Sequence, residues 1–401
     1  MFDRRTFLAG SAGFAATLWL PERAVASTAP LPKTAIHSDA IGPAAEVAEI
    51  RLYSRPAEGR FRVTGSEELT RALEQAGSGD TILLAPGRYG EFSTRASAGR
   101  GRIRVVSEQW RGATFDKIFS GGDGIWWEGV DVTGENLVVR GRNVGLRHVR
   151  APWLDLRNFT DATIEDSIFD GEYAGQSNIK EGSGATVRRT IFSRGSGPDL
   201  LQTGEVEDMD FENCVFFDLR VPSNSGLHSD VFQCYNPRSG GRQRWRFHRC
   251  LFYTHNMRSI RSNQGLFLTD ARAPAFSGVD IQQSLFGAPN GNSRFGITVQ
   301  LNGRGNVIRN NTLFGPISSS KKQPTDNSGT ILEGNITSNI MNRGGGRFQS
   351  EAGNVVFRSP TGLFSLPAHG MNRGMDWRDY RAPKLAAGAR EFLAHLEETW
   401  G

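Results

Sequence analysis

The segment Gly226–Gln233, GLHSDVFQ, puts a histidine and an aspartate two residues apart at the entry of a short apolar stretch. Imidazole titrates near neutrality, so His228 can take a proton from a substrate carbon while Asp230 orients it. Asp199-Leu200-Leu201-Gln202 repeats the order of Asp230-Val231-Phe232-Gln233: an acid, two apolar residues and an amide. If the two segments lie side by side, their carboxylates repel and one holds its proton to higher pH. Such a pair can act as acid and base, hold a metal, or be relieved by arginine, and Arg258 and Arg261 of RSIRSNQGLF stand ready for relief. Lys180, in SNIKEGSGA, is one of two lysines between residues 34 and 320. A lysine near arginines can have a lowered pKa and serve as a base. Gln233, Tyr235, His255 and Asp199 are candidate substrate contacts. Plainer roles stand beside these: turn caps for the aspartates, a solvated Lys180–Glu181 pair, and an internal amide ladder for Gln202, Gln233 and Gln300. His248 is expected to be structural.

The elements that must position these residues follow from a repeat. ATIEDSIF, TVRRTIF, MDFENCVF, RFHRCLF, VDIQQSLF, VIRNNTLF and TILEGNIT each alternate apolar and polar residues. Each then sets Asp, Asn, Arg or Gln before a small residue, an aliphatic and usually Phe. The aliphatics fall at 168, 191, 215, 251, 285, 313 and 336, at intervals of 23, 24, 36, 34, 28 and 23. Period-two alternation means strands, and a repeat of this length means a solenoid whose coils stack in parallel about 4.8 Å apart. The aliphatics are expected as one interior ladder, with the Phe row facing outward or lining a bend. On this phase Gln202, Gln233 and Gln300 share a row, Asp199 and Asp230 stand one coil apart on the outer face, and Lys180 sits one coil before Gln202. The two long intervals hold GLHSDVFQ and RSIRSNQGLF, where insertions become loops on one face.

Solenoid ends need covers. Leu69, Ala72, Leu73 and Ala76 share one face of a predicted capping helix, with Ser66 or Thr64 as its N-cap. Ala389, Phe392, Leu393, Leu396 and Trp400 form a second apolar stripe, read as a C-terminal plug or packing arm. Residues 1–26 read as a twin-arginine export signal: Arg4-Arg5, an apolar run from Phe7 to Leu20, and the small-x-small site Ala24-Val25-Ala26. Residues 27–60 are an extension, 61–358 the solenoid and 359–401 a tail with the second helix. No later stretch is long and apolar enough to span a membrane. The net charge of +5 and pI of about 9.3 come almost wholly from arginine. That suits an acidic polysaccharide, and without a dense basic block or nucleic-acid motif it does not suit nucleic acid. Three cysteines are too few for a disulfide framework. Cys214 and Cys250 share the small-residue position with Ser167, Thr190, Ser284 and Thr312, which leaves room for one bridge.

ALEQAGSGDTILLAPGRY, residues 72–89, is similar to the opening of secreted right-handed parallel β-helix proteins of the pectate-lyase-like superfamily. That superfamily includes alginate-lyase-like enzymes, C5-epimerases and polygalacturonase-like hydrolases. The resemblance implies an all-β, right-handed parallel β-helix, periplasmic or secreted and monomeric. Its expected activity is lysis of a uronic-acid-containing polysaccharide by β-elimination. The substrate carboxylate is neutralised by arginine, amides or a bound calcium ion (Ca2+), and His228 or Lys180 removes the C5 proton. Alternatives are a hydrolase using Asp199 and Asp230, a C5-epimerase, and a non-catalytic carbohydrate-binding solenoid. Leu227-His228-Ser229-Asp230 only partly matches the epimerase motif Asp-Pro-His-Asp, and the hydrolase signatures Gly-His-Gly and Arg-x-Lys are absent.

Overall fold

The computed structural model describes residues 48–54, 58–171, 175–195, 198–217, 219, 229–234, 243–253, 264–268, 277–287, 297–301, 303–318, 327–342, 347–359, 363–364, 377–382 and 384–400. Among the described residues thirty strands form one sheet. Every described pairing is parallel, each strand meeting its counterpart one coil on. The architecture is a parallel β-helix with three walls. The first runs through residues 154–157, 177–180, 201–204, 230–234, 264–268 and 297–301. The second contains 162–165, 185–188, 209–212, 245–248 and 279–282, and the third 168–170, 191–193, 215–217, 251–253 and 285–286.

Left-handed residues make the corners. Asp166, Arg189, Asn213, Arg249 and Gln283, the polar residues that precede the small residue of each repeat, have φ between 47° and 53° and turn the chain from second wall to third. Asn and Asp tolerate this region because a short polar side chain can bond locally. The small residue that follows supplies a hydrogen bond where the turn would otherwise leave an amide unmet. Ser167 Oγ accepts from the Val149 N–H (3.2 Å), and Ser284 Oγ from the Cys250 N–H (3.1 Å). Further along, Asn311 and Asn335 accept from the Ser284 and Asn311 amides.

The lumen reverses the expected faces of the third wall. Phe169, Phe192, Phe216, Phe252 and Phe286 stack inward, neighbouring ring centroids 4.6–5.2 Å apart. Phe216 meets Phe211 of the second wall and Phe232 of the first edge-on, so one aromatic triad joins all three walls. The aliphatics Ile168, Ile191, Val215, Leu251 and Leu285 pair in register as expected, but they point outward. Helix α2 (Arg390–Trp400) covers them with Phe392, Leu393 and Leu396. It is a packing arm on the side of the barrel. One coil on, Leu285 faces Thr312 and Phe286 faces Leu313, a one-residue offset from the expected ladder. The offset leaves Leu313 to cover Phe286 in the lumen, while Thr312 Oγ1 accepts from the Ala389 N–H (3.1 Å) at the start of α2.

Helix α1 (Ser66–Gln75) seals the first coil with Leu69, Ala72 and Leu73. Its N-cap is Gly65, which makes no side-chain cap bond, in place of the expected Ser66 or Thr64. Glu68 instead reaches back to accept from the Thr64 N–H (2.7 Å). Cys214, Cys234 and Cys250 are buried, and Cys214 and Cys250 form no bridge with each other. No described helix is long and apolar enough to cross a membrane.

Phe216→Ala should lower unfolding stability by about 3–5 kcal/mol, the usual cost of deleting a buried aromatic. Chemical denaturation reads the change directly, and an unshifted midpoint would be incompatible with a ring at the junction of three walls.

Candidate active site

On the first wall, residues whose side chains oppose the lumen form a polar surface. Strand alternation sends Leu156, Ile179, Leu201 and Phe232 inward and their neighbours outward. In-register pairing then lines up Asp155, Asn178, Gln202, Gln233, Phe267 and Gln300 across six coils. A second outward row, two residues on, begins with Arg157 and Lys180 and ends at Gly204. The wall therefore presents amides, one aromatic, and an acid and two bases at one end.

Lys180 is half-buried. Burial lowers its pKa from the ordinary value, and the Arg157 guanidinium lowers it further, against weaker opposition from Asp155, Asp199 and Glu181. A larger share of neutral amine is thereby present at a given pH. Arg157 is its Cα partner on the preceding coil and pairs with Asp155 (2.6 Å). Lys180 Nζ donates to Gln202 Oε1 (3.2 Å), and Gln202 Nε2 donates to Asp199 Oδ2 (2.6 Å). A carboxylate only accepts, so Asp199 fixes the orientation of the Gln202 amide and turns its oxygen to the lysine.

Asp199 and Asp230 are Cα partners, as the repeat phase requires. The expected outer-face placement is wrong: both are fully buried. Asp230 shares the parity of Phe232, which points into the lumen. Each carboxylate holds the next coil. Asp199 Oδ1 accepts from the Asp230 N–H (2.8 Å), and Asp230 Oδ1 from the Gln264 N–H (3.0 Å). These bonds reach across coils, unlike the expected caps on each residue's own turn. Gln202 and Gln233 likewise stand on the outward side of the wall where an internal ladder was expected, with Gln233 half-buried, and the Gln300 side chain lies outside what is described. Lys180 faces Gly204 in register, and Asn178 faces Gln202, two residues from the expected alignment. His248 is half-buried on the second wall between Glu212 and Gln282.

His228, Tyr235, His255, Arg258 and Arg261 lie outside the described residues. Asp155, Arg157 and Asn178 are the surface residues that sequence reasoning missed. Their signal was present: LDLR at 154–157 alternates like SNIK at 177–180, one coil of 23 residues away.

Calcium does not fit the described residues. They contain no group of three or more acidic, histidine or cysteine side chains able to hold a metal. Asp155 is paired with Arg157, and Asp199 and Asp230 are occupied by backbone amides.

No protein-family model and no curated protein matches the chain. Solved structures similar to it include a PL6-family polysaccharide lyase from Pseudopedobacter saltans, at 15% identity over 72% of this chain and 77% of that one, TM-score 0.45. Another is the pectate lyase Pel9A, at 17% identity over 66% and 73%, TM-score 0.44. A third is an alginate lyase from a Paenibacillus species, at 13% identity over 73% and 98%, TM-score 0.42. The strand register of the chain itself makes it a parallel β-helix.

Proposed function

We propose that this chain is an exported lyase that cleaves a uronate-containing polysaccharide by β-elimination, with Lys180 as the base. The observation that carries the proposal is the half-buried Lys180 amine, its pKa lowered by burial and by Arg157, on an outward surface of amide side chains. Arg157, Asn178 and Gln233 offer N–H donors to the substrate carboxylate, which acidifies the adjacent C5–H. The neutral Lys180 amine takes the C5 proton. The electron pair left on C5 forms the C4=C5 double bond, the C4–O bond breaks, and the departing oxygen takes a proton from the new ammonium or from water. Burial of Asp199 and Asp230 weighs against hydrolysis by that pair, because neither carboxylate reaches solvent. The export part rests on Arg4, Arg5 and the apolar run that follows them.

Incubation with a panel of polyuronates, read by ultraviolet absorbance of the unsaturated product, tests the reaction. Lys180→Ala should lose on the order of 10²–10⁴-fold in rate with an unchanged melting temperature, while His228→Ala keeps most of it. Reducing ends without new absorbance would mean hydrolysis. Altered C5 stereochemistry at unchanged chain length would mean epimerisation. A fully active Lys180→Ala ends the proposal.

The pH profile adds a separate check. A base must be deprotonated to act, so kcat should rise with pH and level off below the ordinary lysine pKa of about 10.4. The Gln202 oxygen accepts from Lys180 and so favours the ammonium. Gln202→Met should therefore move the rising limb to lower pH, and an unmoved or upward-shifted limb would exclude Lys180 as the titrating base.

A further inference from the structure

We infer that the second wall carries a separate groove that binds an uncharged, hydroxyl-rich glycan strand, independently of the Lys180 surface and of any lyase activity there. The groove arises from side-chain size in one outward row. In register, that row reads Gly145, Thr163, Thr186, Asp210 and Arg246. At one end Trp126, the partner of Gly145 on the preceding coil, lies across it. A Cβ on Gly145 would come within 2.2 Å of the indole, so only glycine lets the ring lie down. Arg102 stacks over that ring at 4.1 Å, and Trp126 Nε1 donates to the Asn143 carbonyl (2.9 Å). At the other end stand the ion pairs Asp208–Arg244 and Asp210–Arg246. Between these ends that row carries only the two threonines. The result is an open trench two coils wide, with a volume of about 480 Å³.

The lining selects the ligand. Arg102, Arg244 and Arg246 face Asp161, Asp208 and Asp210, three positive against three negative charges. A polyanion gains no net attraction there and meets three carboxylates. An apolar ligand would strip water from polar groups without replacing their bonds. Sugar hydroxyls both donate and accept, which suits interleaved guanidinium donors, carboxylate acceptors and threonine hydroxyls. Gly184 keeps the turn side open: its φ is 71°, and a Cβ there would lie 2.7 Å from Asp161 Oδ1. Asn158, Glu181 and Glu205, all left-handed, form a corner between this groove and the Lys180 surface. Lys180 and Thr186 lie on either side of the left-handed turns at Glu181 and Gly184, on different walls. Lys180 is not among the residues that line the groove.

The test uses full-length protein carrying Lys180→Ala, titrated calorimetrically with cellohexaose, mannohexaose, a galactan hexasaccharide and trigalacturonate at low and high salt. At least one neutral oligosaccharide should bind, with an affinity that salt leaves within about twofold, since no net charge is being screened. Thr186→Trp fills the trench from an outward position and should weaken that binding roughly tenfold or more at an unchanged melting temperature. Thr163→Trp repeats the blockade one coil away and serves if the first variant is unstable. Absence of binding by every neutral glycan overturns the inference. So does equal binding by both tryptophan variants, or a response confined to trigalacturonate. Failure of Lys180 as a base changes none of these readings.

Discussion

Parallel register between successive coils governs the walls of the described residues, with local shifts at corners such as Leu156–Phe159 and Arg88–Glu91. Most wall positions have a Cα partner one coil on, so a residue choice there is read out as a row. A row of Phe becomes a lumen stack, and a row of amides becomes an outer surface. The long intervals before Leu251 and Leu285 do not disturb this. Their flanking strands Asp230–Cys234 and Gln264–Leu268 pair Gln233 with Phe267 as though nothing had been inserted. Loop-closure cost grows slowly with length, so a corner absorbs extra residues more readily than a wall absorbs a register slip.

The third wall shows what that constraint demands elsewhere. Its strands are short and apolar on both faces: Phe216 fills the lumen while Val215 and Phe217 face outward. An apolar outer face needs a coat. The coat comes from both ends of the described chain: α2 from one, Ala48 and Ile50 from the other. A hydrogen bond between His395 and Glu49 (2.7 Å) joins the two, and the Arg51 N–H donates to Asp166 at a corner (2.9 Å). The helix thus follows from the wall it covers.

Much of the fold was legible in the sequence because in-phase repetition is a strong signal. The pairing Ile168–Ile191–Val215–Leu251–Leu285 and the partnership of Asp199 with Asp230 both follow from spacing alone. The inside and outside of the third wall were not legible, since alternation labels two faces without saying which is covered by what. The slip at Thr312 was hidden because Leu313 and Thr312 are each acceptable at either position until α2 and Phe286 decide. The outward surface around Lys180 was half legible. Lysine stood out by its rarity, but Asp155 and Arg157 are common residue types in an ordinary coil, closed by Phe169, that no insertion marks. The second-wall trench depends on where side chains are small, and Thr163 and Thr186 carry meaning only once Gly145 and Asp210 are known to flank them.

Asp199 and Asp230 bring the scaffold and the site together. A buried carboxylate is costly unless its oxygens are bonded. The next coil's amides meet that need, which makes the pair part of the wall. Yet the second oxygen of Asp199 holds the Gln202 amide, and Gln202 crosses to the outer surface to meet Lys180. A residue fixed by the demands of stacking therefore sets the hydrogen bonding of the lysine outside. Shifting Asp199 would disturb the coil and the amine together. The chemistry of the surface is, at this one point, anchored in the interior of the helix.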